Sequence, residues 1–82
     1  MSDESIGRVD SFFKNISVAA IDLTDTLSVG DTIRIRGATT DFEIEVTSMQ
    51  IDRAAVESAG PGDSVGIIVP ERVRPNDIVY KV

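Results

Sequence analysis

Glu43 and Glu45 are the first residues to weigh as chemical groups. They stand two positions apart in DFEIEV, Asp41 to Val46, a spacing that places both carboxylates on one face of a strand. Paired carboxylates can divide general acid and base work when a buried pocket separates their pKa values. The neighbouring sequence builds no such pocket, and Arg34 and Arg36 in the preceding segment are placed to neutralise them. Ser and Thr are plentiful, but the chain has no His, no Cys and only two Lys to activate a hydroxyl. Asp22 and Asp25 in DLTD lack the ligand number and the glycine of a calcium loop. No catalytic residue, cofactor-binding residue or metal ligand is assigned, and an enzyme is not expected.

The glycines of AGPGDSVGI, Ala59 to Ile67, raise the second chemical question, because glycine-rich loops cradle phosphates. A P-loop requires a lysine and a hydroxyl after its last glycine, whereas Gly60 and Gly62 are followed by Asp63-Ser64-Val65. A dinucleotide fingerprint opens a helix; here the spacing Gly60, Gly62, Gly66 leads into an apolar β-type run. Asp63 would also set a negative charge against a phosphate. The stretch reads as a turn in which Pro61 fixes φ and a glycine supplies φ > 0.

These groups must sit on elements, and the elements read as short strands. TIRIR and DFEIEV, joined by GATT, form a hairpin with Ile33, Ile35, Phe42, Ile44 and Val46 on one face. Symmetric closure sets Arg34 opposite Glu43 and Arg36 opposite Asp41. GRVDSFF turns at Lys14-Asn15 into ISVAAIDL, SVGD opens the Ile33 strand, and VTSMQI precedes a short polar strand near 54–58. SVGIIV and IVYKV complete the series, separated by PERVRPND, where Pro70 and Pro75 exclude a central strand. The expectation is an all-β fold of six or seven strands: an acidic N-terminal tail over residues 1–5 and one domain over residues 6–82.

Composition narrows the function classes. The net charge is −6, with nine Asp and five Glu against six Arg and two Lys. Excess Asp with Arg in place of Lys suggests a halophilic source, because in molar salt the Debye length falls to ~3 Å and a dense acidic surface stops repelling itself. Such a chain is a poor non-specific binder of phosphate backbones at low salt. MSDES is acidic where a secretory signal is basic and then apolar, and no apolar run approaches the ~20 residues of a membrane span. A cytoplasmic location and no membrane partner are expected.

LSVGDTIRI, VTSMQIDRAAVESAGPGDSVGI and VRPNDIVYKV together resemble the second, β-barrel domain of translation elongation factor Tu. The matching positions are Val29, Gly30, Asp31, Met49, Val56, Ala59, Gly62, Asp63, Val65, Gly66 and Ile78, with Gly7, Arg8 and Val9 resembling the opening strand. In size the chain is similar to small stand-alone elongation-factor-like proteins. The resemblance implies a closed six-stranded Greek-key β-barrel with no GTPase activity of its own. It also implies a role in translation through binding of tRNA, ribosomal RNA, a ribonucleoprotein or a protein partner such as a separate GTPase.

The residues open to such contacts are Arg34, Arg36, Arg53, Arg72 and Arg74, which would form a basic patch if they converged, and Phe12, which could stack on a base. Ile21, Ile68 and Val79 each fall on the face opposite their apolar neighbours. They would form an outer apolar patch suited to a protein partner or to self-association without nucleic acid.

Overall fold

The computed structural model describes residues 4–82, and for Glu4 the backbone alone. Ten strands are present: β1 Glu4–Phe13, β2 Val18–Leu23, β3 Leu27–Ser28, β4 Thr32–Arg36, β5 Asp41–Glu45, β6 Met49–Ile51, β7 Ala54–Val56, β8 Ser58–Ala59, β9 Ser64–Ile68 and β10 Ile78–Lys81. The all-β expectation holds. β1 begins at Glu4, inside the segment read as an acidic tail, whose first three residues lie outside the described residues.

Eight strands form one antiparallel sheet in the order β5-β4-β10-β1-β2-β9-β6-β7, and β3 pairs with β8 in a second, two-stranded sheet. The closed six-stranded barrel is thereby corrected to a curled, eight-stranded half-barrel, in which the end strands β5 and β7 do not pair. Turn residues continue the hydrogen bonding between those ends. The Gly30 N–H donates to the Val46 carbonyl, and the Val29 N–H donates to the Glu57 carbonyl. The sequence therefore has the strand-and-turn pattern of a barrel, although the pairing stays open.

Three turns share one construction. In Ser28–Asp31, Gly60–Asp63 and Arg74–Asp77, the fourth residue is Asp, whose carboxylate accepts the first residue's N–H at 3.0, 2.9 and 3.0 Å. The Asp N–H returns a bond of 3.1 Å to the first residue's carbonyl in each. The third residue has positive φ, as a type II turn requires: Gly30 at 100°, Gly62 at 89° and Asn76 at 75°. Gly62 and Asp63 thus serve the backbone, in agreement with the turn reading.

The core rows follow the register. Val9, Ile21 and Val65 lie side by side across β1, β2 and β9, while Gly7, Val79 and Ile35 lie side by side across β1, β10 and β4. All six are buried. Leu27 and Ala59 from the small sheet, with Val69 and Val73 from the segment before β10, join the same core.

β1 carries two bulges, between Ser5 and Gly7 and between Val9 and Ser11. Each adds one unpaired residue and reverses the in–out alternation beyond it. Past the second, Phe12 pairs with Ala19 on the core side and Phe13 pairs with Val18 on the outer side.

The β4–β5 hairpin has the expected register, Arg34 opposite Glu43 and Arg36 opposite Asp41. The ion pair it makes is diagonal: Arg34 Nε donates to Asp41 Oδ1 at 2.9 Å and Arg34 Nη2 donates to Oδ2 at 3.2 Å. Long side chains reach diagonal neighbours on a twisted sheet. The Arg34 hydrogen bond holds the Asp41 carboxyl below its ordinary value; partial desolvation opposes this, and the charges of Arg34 and Arg36 add to it. A carboxyl with a depressed folded pKa contributes stability above its unfolded pKa of about 4 and loses it as pH falls through the folded value. Asp41→Asn is expected to remove that acid-side slope while leaving stability at the lowest pH unchanged. Thermal melts of the two proteins across acid pH check this.

Candidate functional site: a groove on the outer sheet face

A hollow lined in part by Phe13, Ile16, Val18 and Ala20 forms a groove of about 480 Å³ on the outer face of β2, β9 and β6. Its floor is made of small or short side chains. Ala20 pairs with Gly66, and Gly66 pairs with Gln50. A Cβ placed on Gly66 would meet the Val18 Cγ1 at 3.2 Å and the Gln50 carbonyl oxygen at 4.0 Å, so glycine keeps the floor low.

One wall is the end of β1 and the turn after it, with Phe13 51% exposed and Ile16 65% exposed. Phe13, Val18 and Ile68 form one cross-strand row, and Ile68 is 60% exposed. The opposite wall is the β6–β7 turn, where Asp52 and Arg53 line the groove with Ser64. Both turn residues have positive φ, 51° and 67°, as a two-residue type I′ hairpin demands; Asp52 suits its position, whereas Arg53 stands where such turns favour glycine. A second hollow of similar size lies over β3 and β8, lined by Ser28, Val29, Glu57 and Ser58, with Val29 its one apolar residue.

The expected outer patch changes membership. Ile21 and Val79 are each 0% exposed, because Ala19, Ile21 and Leu23 form the inward series of β2 and Val79 is the inward residue of β10. Only Ile68 of the three lies outside. Phe12, the expected stacking residue, is half-buried and packs against the core; the bulge in β1 puts Phe13 outside in its place. An adjacent pair of phenylalanines shows that one must face out, but not which.

The five arginines lie on three segments. Arg34 and Arg36 lie on β4, next to one end of the sheet, and Arg53 precedes β7 at the other end. Arg72 and Arg74 are exposed on the segment before β10, where the Arg74 N–H closes the Asp77 turn. Arg34 is engaged with Asp41. Glu43 and Glu45 are exposed on the end strand β5, and no group of three His, Cys, Asp or Glu among the described residues is placed to hold a metal ion.

No protein-family model matches the chain. Among solved structures it resembles the C-terminal domain of a putative U32 peptidase from Geobacillus thermoleovorans. The selenomethionine variant of that domain superposes with a TM-score of 0.91, covering 95% of this chain and 99% of that one at 17% identity. A second structure of the domain gives 0.88, covering 94% and 90% at 16% identity. The fold is that of a peptidase C-terminal domain.

Sequence relatives point the same way. The chain is 49% identical over 76 residues to an "uncharacterized protease" of Methanocaldococcus jannaschii, a match covering 92% of this chain and 19% of the relative. It is 33% identical over 78 residues to a collagenase of Porphyromonas gingivalis, covering 93% and 22%. The chain thus spans about a fifth of the length of the curated relatives it matches. These matches correct the elongation-factor resemblance, and with it the translation and RNA-binding roles that it implied. The physical reason is visible in the Asp-closed turns. Gly30-Asp31 and Gly62-Asp63 serve the backbone, glycine taking the positive φ of a type II turn and Asp closing it, so they report turn geometry and not family.

Proposed function

We propose that the chain is a non-catalytic protein-interaction module of a protease-type protein and that the outer groove is its contact face. The observation that carries this is the pair Phe13 and Ile16, both exposed, beside a floor of Ala20 and Gly66, with exposed Ile68 flanking the groove at the end of the Phe13–Val18 row. Contiguous exposed apolar side chains beside a concave floor mark interaction surfaces more often than solvent-facing ones. The protease relatives support the reading, since what they share with this chain is a fifth of their length. The groove takes a polypeptide segment whose apolar side chains pack against Phe13 and Ile16 over Ala20 and Gly66, reaching Ile68 along the Phe13–Val18–Ile68 row.

The test is titration of the chain with two unfolded polypeptides, gelatin and reduced, carboxymethylated albumin, followed by calorimetry. Each large apolar side chain buried on binding contributes ~1.5–3 kcal/mol. Phe13→Ser/Ile68→Ser is therefore expected to weaken binding roughly tenfold or more, with an unchanged circular dichroism spectrum. Absence of binding to either polypeptide, or equal binding by the double variant, overturns the reading. Gly66→Ala, whose Cβ meets the Val18 side chain at 3.2 Å and the Gln50 carbonyl oxygen at 4.0 Å, is expected to weaken binding while leaving the melting temperature within a few degrees.

A further inference from the structure

We propose that the free edge of β5 takes up an extra antiparallel strand, an extended polypeptide segment in which Lys or Arg alternates with apolar residues. This surface is independent of the groove: β5 stands at one end of the sheet, whereas the groove is floored by β2, β9 and β6.

In an antiparallel ladder, alternate residues bond one neighbour, and the residues between them turn their N–H and C=O groups the other way. The Val46 N–H donates to the Asp31 carbonyl at 2.8 Å, and the Gly37 N–H donates to the Thr40 carbonyl at 2.7 Å. Carried along the register, those two bonds set the phase of the hairpin. Ile44 and Phe42 bond Ile33 and Ile35, and Asp41, Glu43 and Glu45 turn their backbone groups away from β4. β5 ends the sheet, so no strand among the described residues receives them. The other end strand, β7, is partly engaged, since the Glu57 carbonyl just beyond it accepts the Val29 N–H.

The side chains select the occupant. On the core side Ile33 and Ile35 are 0% exposed, whereas Phe42 and Ile44 beside them stay half-buried. A further strand with apolar residues at alternate positions would cover them. On the outer side every residue of β5 is acidic: Asp41, Glu43 and Glu45. Arg34 is engaged with Asp41, and Glu43 and Glu45 make no ion pair with a described residue. Opposite charges facing each other across a ladder stabilise it, and like charges do the reverse. A second copy's β5 would set carboxylate against carboxylate, so the edge is guarded against self-pairing. A strand with Lys or Arg at its outward positions meets the same edge with charges matched. β4 shows the pattern that fits: TIRIR sets Ile33 and Ile35 inward and Arg34 and Arg36 outward against β5. In such strand addition the main-chain bonds give affinity and the alternate side chains give specificity.

The test is NMR titration of the isotope-labelled chain with the peptide acetyl-GTIRIRIRG-amide. Amide exchange of Glu43 and Glu45 should slow on binding, while that of Phe42 and Ile44, already bonded to β4, changes little. Binding should weaken as salt is raised, because exposed charge pairs are screened. The counterpart acetyl-GTIEIEIEG-amide should bind about tenfold more weakly, and Glu43→Gln/Glu45→Gln should cost the basic peptide about fivefold. N-methylation of the peptide's arginine backbone nitrogens should abolish binding, since it removes the donors that face β5. No response at β5 overturns the proposal, as does equal binding of the acidic or the N-methylated peptide. Responses confined to Phe13 and Gly66 would put the peptide in the groove, overturning strand addition while keeping the interaction module.

Discussion

Gly7→Ala is expected to lower the melting temperature by roughly 12 to 24 °C. An alanine Cβ at this position would stand 2.7 Å from the Asp22 carbonyl oxygen, 3.0 Å from the Ile21 Cγ2 and 3.4 Å from the Leu23 Cα. Two of those atoms are backbone, held by the β1–β2 ladder that pairs Gly7 with Leu23. A side chain could rotate away; a paired strand can only separate. Relief of such overpacking costs about 3 kcal/mol, and each kcal/mol moves the melting temperature of a domain this small by about 4–8 °C. The sign is informative. Glycine to alanine in an unconstrained strand stabilises by reducing the freedom of the unfolded chain, so a large loss isolates the close approach of β1 to β2. Gly66→Ala is the matched control, since its nearest atom belongs to the Val18 side chain, and it should shift the melt by only a few degrees. Differential scanning calorimetry of the three proteins decides. A melting temperature for Gly7→Ala at or above the parent's would refute the strand spacing.

Ile21→Ala should cost about 3–4 kcal/mol, while Ile68→Ala should change stability by less than about 0.5 kcal/mol. Ile21 is fully buried between Val9 and Val65, so truncation loses transfer free energy and leaves a cavity in a small core that has little means of collapsing. A chain of 82 residues has a total stability of only roughly 4–12 kcal/mol, so that loss is a large share of the whole. Ile68 already stands in solvent on the outer row, so its removal takes little contact area from the fold. Urea unfolding of both variants, with the polypeptide titration run beside it, separates the two roles. Equal destabilisation by the two would mean that both residues pack in the core.

Local pattern made much of this fold legible. Alternation in TIRIR and DFEIE, with a four-residue connection, identified the hairpin and its register, Arg34 opposite Glu43. Pro70 and Pro75 correctly excluded the segment before β10 from the sheet. What escaped was the pair of two-residue strands β3 and β8, too short to show any period, and the diagonal choice of Arg34 for Asp41. The groove was legible in part. Ile68 and one outward phenylalanine were indicated, whereas Ile16 and the Asp52-Arg53 turn carried no period-two signal to single them out. Family resemblance was misled by the same chemistry that made the turns readable, because Gly-Asp is a backbone requirement before it is a mark of descent.

The amino-acid sequence by itself determined that this is an all-β domain, where its turns fall and the register of the β4–β5 hairpin. Those features depend on contacts between residues near in the chain, where alternation, proline and positive-φ positions act directly. Only the tertiary structure decided which residues of β1, β2 and β10 look inward, and with them the membership of the outer groove. The bulges of β1 are formed by pairing with β10 on one side and β2 on the other, and each reverses the alternation for every residue that follows. No local signal in Val9-Asp10-Ser11 marks that reversal, since a strand's parity beyond a bulge is set by its partners across the sheet.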